Sequence, residues 1–182
     1  MFFLRKSNLA RLPVVMSGVK MGERTLQIGI DDPSLAGAIA AKVGLSGHAA
    51  IAVSNDRAAA KARAAAARAG VLVDVQVTPL DSLSFAGDSF DAIVLHAAMD
   101  GLPSLENAAG VAMLRDGHRV LRSGGRIVIF ERGPRRGIVA WLRPRPRRPY
   151  PGAAVDALAA AGFRAVRPIA EREGYLFTEG IK

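Results

Sequence analysis

The residues of this chain that could do chemistry sit just after short apolar runs. In TLQIGIDDPSLAG, residues 25–37, Gly29 and Ile30 lead into two adjacent carboxylates, Asp31 and Asp32. At such a junction a carboxylate can pair with a ligand's cation, or it can cap a following helix. The run AAIAV at 49–53 leads into Ser54, Asn55 and Asp56, and VLVDVQV at 71–77 leads into Pro79, Leu80 and Asp81. His96 closes FDAIVLH at 90–96. An imidazole with an unperturbed pKa near 6.5 can act there as a general base, or as a structural hydrogen-bonding group. Glu131 and Arg132 follow GRIVIF at 125–130, where they either face the same region or pair with each other. The three histidines, His48, His96 and His118, are scattered and cysteine is absent. Thiolate metal sites and disulfides are thereby excluded, and no metal is expected.

These residues need elements to position them. The runs at 25–30, 49–53, 71–77, 90–96 and 125–130 are short, branched and bounded by turn residues, which predicts strands. Residues 34–43, 56–69 and 104–122 have helical composition, with Gly44 and Gly70 where helix stops belong. Pro33 suits a first helical position, with Asp31 or Asp32 as its cap, and Asp56 is placed to cap the next helix. From Ala157 onward a helix ends at Gly162, and two strand-like runs follow around a charged turn at Glu171 to Gly174, which predicts an antiparallel hairpin. Alternating strands and helices predict a parallel sheet covered on both faces. Ligands of such sheets bind beyond the carboxyl ends of the strands, where the residues above fall.

Length and composition set the frame. A chain of 182 residues, 50% hydrophobic, suits one domain over 1–182, with an N-terminal helical extension at 1–24 and an Arg/Pro-rich insertion at 132–151. MFFLRK has its charges after its apolar residues, the reverse of a signal peptide, and no apolar run approaches the roughly 18–20 residues that cross a bilayer. With no cysteine, a cytoplasmic location is expected.

Several segments taken in order, GERTLQIG, LSFAGDSFDAIVLH, HRVLRSGGRIVIFER and AAGFRAV with EREGYLFTEGIK, resemble class I S-adenosylmethionine-dependent methyltransferases, especially the small-molecule enzymes of the type 11 kind. The resemblance spans roughly residues 15–182. LRSGGRIVIFE resembles the family's L-K-P-G-G-R-L-V-I entry to the fifth strand, and LSFAGDSFD its L-P-F-x-D-x-S-F-D. What this implies is a Rossmann-like, doubly wound, mostly parallel seven-stranded α/β sheet, with helices on both faces and a C-terminal antiparallel hairpin. It also implies S-adenosylmethionine as cofactor and methyl transfer to a small molecule. Carried over position by position, it implies cofactor contacts from Gly29, Ile30 and Asp31 in the first turn. Ser54 and Asn55 stand where the family has a ribose-binding acid, Leu80 and Asp81 stand beside the position of its adenine-binding Asp, and His96 lines the cleft. The family's first turn reads D-x-G-x-G-x-G; here Gln27 replaces the acid, Gly29 is kept, and Asp31 and Pro33 replace the next two glycines.

The formal net charge is +9, and most of it is local. Residues 132–151 carry Arg132, Arg135, Arg136, Arg143, Arg145, Arg147 and Arg148 with no acid, and alternating Pro and Arg predict an extended arm. IVAWL in its middle places Trp141 among the arginines, a combination that suits an anionic membrane surface or a protein complex. Nucleic acid ranks lower, because only Trp141 and Tyr150 could stack on bases; a solvated loop is the plain alternative. Two functions follow: a small-molecule methyltransferase, or an inactive methyltransferase-like accessory subunit docked through the arm on a protein complex or at the inner face of a membrane.

Overall fold

The structure of the protein, a computed structural model, describes residues 11–97, 102–132, 152–172 and 174–182. Its elements run α1 Leu12–Met16, β1 Arg24–Ile28, α2 Pro33–Val43, β2 His48–Val53, α3 Asp56–Ala69, β3 Asp74–Val77, β4 Phe90–Leu95, α4 Ala108–Val120, β5 Leu121–Arg132, α5 Ala153–Ala160, β6 Arg164–Arg172 and β7 Tyr175–Ile181. All the strands join one seven-stranded sheet in the order β3-β2-β1-β4-β5-β7-β6. The pairs from β3 across to β5 are parallel, and β7 runs antiparallel to both β5 and β6. This is the doubly wound, mostly parallel sheet with a C-terminal hairpin that the alternation and the resemblance predict.

Side chains alternate between faces along each strand, so the core splits into layers. Leu26, Ile28, Ile93, Leu95, Ile127 and Ile129 pack with α4 and α5 through Met113, Leu114 and Leu158. On the opposite face Val94, Val128, Phe130 and Phe177 meet Val14 of α1 with Leu35 and Ile39 of α2. Ile51 and Val53 of β2 pack on Ala58, Ala59 and Ala62 of α3 on that same side. Each fully buried Leu, Ile or Phe contributes about 1.5–3 kcal/mol. Helices α2 and α3 touch closely: a methyl group on Gly37 would lie 2.9 Å from the Ala65 carbonyl oxygen. The alanine bias of α3 serves this contact as well as helix propensity.

Tertiary pairing moved several boundaries. The helix expected over 104–122 is Ala108–Val120, because Asn107 caps it by accepting from the Gly110 amide and Leu121 already pairs with Phe90. β5 is accordingly twelve residues long rather than the six of 125–130. The strand expected at 71–77 shortens to Asp74–Val77, since the Val71 amide closes the end of α3 on the Ala66 carbonyl. Of the expected N-terminal helical extension, the described part contains α1. The arm at 133–151 lies outside the described residues. Among the described residues, no helix is long and apolar enough to cross a membrane.

Candidate functional site

Parallel pairing brings the strand ends together. Ile28 of β1 is in register with Ala52 of β2 and with Leu95 of β4, and Val53 is in register with Val77 of β3. The turns after these four strands therefore lie side by side on the carboxyl edge. Gly29 opens the first turn with φ +76, a backbone state that side chains disfavour, and its amide donates to the Ala52 carbonyl at 2.9 Å. Ile30 is buried and Asp31 half-buried. Asp32 is the cap of α2: its Oδ1 accepts from the amides of Ser34 at 2.8 Å and Leu35 at 3.2 Å. Its Oδ2 accepts from Arg11 at 2.9 Å, and Arg11 also donates to the Ser34 hydroxyl. Burial works to raise the Asp32 carboxyl, but hydrogen bonds from Arg11, Ser34 and Leu35 together outweigh it and hold it below the usual value.

At the end of β2, Ser54 and Asn55 are both exposed. Asn55 is the cap of α3: its backbone is extended and its side-chain oxygen accepts from the Ala58 amide at 2.9 Å. The cap expected at Asp56 is thus corrected, since Asp56 is already the first helical residue. The Asn55 amide nitrogen also reaches the Ser54 hydroxyl at 3.2 Å. After β3, Leu80 is buried in the core facing α4, whereas Asp81 is exposed. The edge therefore presents the Gly29–Asp31 backbone, the Ser54 hydroxyl and the Asp81 carboxylate, while Leu80 forms floor.

His96 lies one residue beyond β4 and is 1% exposed. Its amide donates to the Ile28 carbonyl, and its ring meets Phe130 edge-on. Gln27 donates from Nε2 to the Ala36 carbonyl at 3.0 Å, which leaves its Oε1 to accept from His96 Nε2 at 2.9 Å. That pairing selects the tautomer with its hydrogen on Nε2. Burial pushes the imidazole down to about 4, against the upward pull of Asp31 and Asp32. The ordinary pKa near 6.5 expected of His96 is therefore corrected: at neutral pH this ring is uncharged and ties β1, β4 and α2 together.

Glu131, near the end of β5, is 5% exposed. Alternation puts it on the face of Ile127 and Ile129, opposite to Phe130 and His96. Among the described residues, no hydrogen bond or ion pair reaches its carboxyl. Burial first, and the charge of Glu106 second, push it up to about 7. Gln27 and Arg11 were not legible as site-shaping residues, because their partners are distant in sequence. The one signal for Glu131 was a charged residue closing an apolar strand. The positions Arg135, Arg136, Trp141, Arg143, Arg145, Arg147 and Arg148 lie outside the described residues. Among the described residues, no group of His, Asp and Glu is arranged to hold a metal ion.

Comparison with known proteins agrees on the architecture. The sequence profile of a family described as a methyltransferase domain matches residues 34–129. No curated protein matches the chain. Among solved structures, a SAM-dependent methyltransferase from Aquifex aeolicus superposes with a TM-score of 0.71 at 19% identity, covering 92% of this chain and 86% of that one. PigF, solved with SAH, gives 0.71 at 21% identity over 96% of this chain and 56% of PigF. An S-adenosylmethionine-dependent methyltransferase from Mesorhizobium loti gives 0.67 at 17% identity, over 99% of this chain and all of that one. Likeness at such identities speaks to the shared fold.

Proposed function

The chain belongs to the methyltransferase domain family, whose profile covers more than half of it, and we propose that it transfers a methyl group from S-adenosylmethionine to a small molecule. The observation that carries this reading is the first turn: Gly29 at φ +76 lets a ligand approach the backbone, at an edge shared with the turns after β2 and β3. The residues present fit the cofactor by their chemistry. Gly29 and Ile30 would hold its methionine part through the backbone, and Asp31 would face its ammonium group. Arg11 pairs with Asp32, so that carboxylate does not confront the cofactor's own carboxylate as an uncompensated charge. Ser54, with Asn55 beside it, would meet the ribose hydroxyls, and Leu80 and Asp81 the adenine. When bound, S-adenosylmethionine supplies an electrophilic methyl group on a sulfonium. The chain's own contribution is to position that group and exclude water from it. His96, neutral and bonded to Gln27, orients the turn from below and carries no charge toward the sulfonium.

Isothermal titration with S-adenosylmethionine and S-adenosylhomocysteine tests this. Micromolar binding by the wild type, weakened about tenfold by Asp31→Ala, is the expected result. No heat of binding at millimolar ligand would overturn it.

A second reading has one specific observation in its favour: Asp32, braced by Arg11, already occupies the first amides of α2, where an anionic ligand group would otherwise dock. In that reading the fold is an accessory subunit of the cytoplasm, held to a protein complex or an anionic membrane surface through Arg135, Arg136, Trp141, Arg143, Arg145, Arg147 and Arg148. Replacing Arg143, Arg145, Arg147 and Arg148 with Ser would then abolish co-sedimentation with phosphatidylserine vesicles or with the partner complex.

A further inference from the structure

Three neighbouring strands enter the sheet through turns that each hold one large apolar side chain in water. Met21 lies three residues before the start of β1, Leu45 three before β2 and Leu72 two before β3. Met21 is 79% exposed, Leu72 96% and Leu45 completely. Among the described residues the other exposed large apolar side chains, Val15 of α1 and Val77 at the last position of β3, are only about half exposed. Parallel register sets the first two turns level, since Arg24 pairs with His48, and β3 begins two residues further along, where Asp74 pairs with Ala50. The first two turns also touch: the Gly22 amide donates to the Val43 carbonyl at 2.8 Å, and a methyl group on Gly44 would lie 3.1 Å from the Met21 side chain.

The same edge is basic. Lys20, Arg24 and Arg68 are exposed beside these tips, and among the described residues no carboxylate forms an ion pair with their side chains; Arg24 donates to the Ser89 carbonyl. Of the acids in these turns, Glu23 is held by Arg126 at 2.7 Å, and Asp74, exposed and bonded to Gln76, has no cation partner. Further along the edge Asp88 and Asp91 are paired with Lys182 and Arg122. Single apolar residues scattered over a surface need no explanation, but the three most exposed ones on three adjoining turns do. A folded protein partner needs a contiguous patch of about 800 Å² on this side. Three tips on separate turns, with strands about 4.8 Å apart, do not make one. A lipid surface needs no such continuity: each tip enters between headgroups on its own, while the cations meet phosphates.

We propose that the amino edge of β1, β2 and β3 is a peripheral membrane contact. It inserts Met21, Leu45 and Leu72 among the headgroups of an anionic bilayer, while Lys20, Arg24 and Arg68 meet the lipid phosphates. The contact depends neither on the methyl-transfer reading nor on the arginine arm. β1 and β2 are five and six residues long, and at about 3.3 Å per residue they place the carboxyl edge roughly 15–20 Å above the lipid. The turns that carry Gly29, Ser54 and Asp81 therefore stay open to water when the opposite edge is seated.

The test sediments the full chain with vesicles of phosphatidylcholine alone and of phosphatidylcholine mixed with phosphatidylserine. The wild type is expected to partition onto the mixed vesicles and not onto phosphatidylcholine alone. Leu45→Gln and Leu72→Gln should each weaken that partition about tenfold, and the triple variant with Met21→Gln should abolish it. Lys20→Ser and Arg68→Ser should each weaken it about fivefold. The chain has no cysteine, so Leu45→Cys can carry an environment-sensitive fluorophore at one place, with Ser82→Cys, exposed after β3 at the other edge, as control. Mixed vesicles should shift the emission to the blue at position 45 and leave it unchanged at 82. No partition of the wild type, equal partition of wild type and triple variant, or an unshifted fluorophore at 45 overturns the proposal. A dimer in sedimentation velocity that disappears in the triple variant, without vesicle binding, would assign the edge to a second copy of the chain and overturns it as well. An unchanged unfolding temperature shows that the triple variant is folded.

Discussion

His96 beyond β4 and Glu131 near the end of β5 stand one strand apart at the same edge of the sheet, and burial drives both toward neutrality, one down to about 4 and the other up to about 7. They point to opposite faces, and the two faces treat them differently. On the α2 side the imidazole has a complete answer: Gln27 accepts from it and passes the connection to the Ala36 carbonyl. On the α4/α5 side the carboxyl has no described donor. A satisfied buried polar pair rigidifies the core around it, whereas burial of a carboxyl makes its charge costly and raises its pKa. The comparison thus separates a residue bonded into the fold from one whose charge is disfavoured by burial.

The most damaging way to break the comparison is His96→Ala, which removes the ring against Phe130 and leaves the Gln27 oxygen buried without a donor. A loss of about 3 kcal/mol in urea unfolding is expected. Glu131→Gln sharpens it through pH. The folded pKa of His96 lies below its unfolded value, so the unfolded chain binds the extra proton, and stability from this group is lost as pH falls from 6.5 toward 4. Glu131 has the opposite sign: its folded pKa is raised, so its contribution is full below pH 4.5 and is lost as pH rises through about 7. Each amounts to about 3 kcal/mol, and between pH 4.5 and 6.5 they oppose. The wild type should therefore be nearly flat there with respect to this pair. Glu131→Gln should lose stability on acidification across that window, and should exceed the wild type by about 3 kcal/mol at pH 8. Coincident profiles for the two proteins would contradict the assignment.

Smaller effects belong to the turns that both residues frame. Gly29→Ala forces a side chain into a left-handed conformation and should cost about 1–2 kcal/mol, with a matching loss of S-adenosylhomocysteine affinity in calorimetry. Asn55→Ala removes the cap of α3 and should cost about 1 kcal/mol in thermal unfolding. Least of all, Arg167→Ala removes an exposed ion pair with Glu179, far from either face's polar group, and should change stability by less than about 0.5 kcal/mol.

Much of the fold was legible along the chain. The short branched runs became β1, β2, β4 and β5, and Gly44 and Gly70 close α2 and α3 where they were expected to. The site was legible in its positions more than in its roles. Gly29, Asp31, Ser54 and Asp81 do gather on one edge, because parallel register lines up whatever follows each strand. That Asn55 rather than Asp56 caps α3 depended on which of two adjacent polar residues took the extended backbone.

By itself, the sequence determined the alternation of strand and helix and the edge at which the candidate site residues gather. These follow from local propensity and from the need to bury each apolar run, and both are properties of neighbouring residues. Only the tertiary structure decided that Gln27 and His96, 69 positions apart, would form a closed pair, and that Glu131 would face away from them. It also decided that Leu121 would begin a strand rather than end a helix. Hydrogen-bond partners across a sheet and the desolvation that shifts a pKa depend on what encloses a group in space. An imidazole and a carboxyl that look equally available in the chain therefore came to have different standing in the fold.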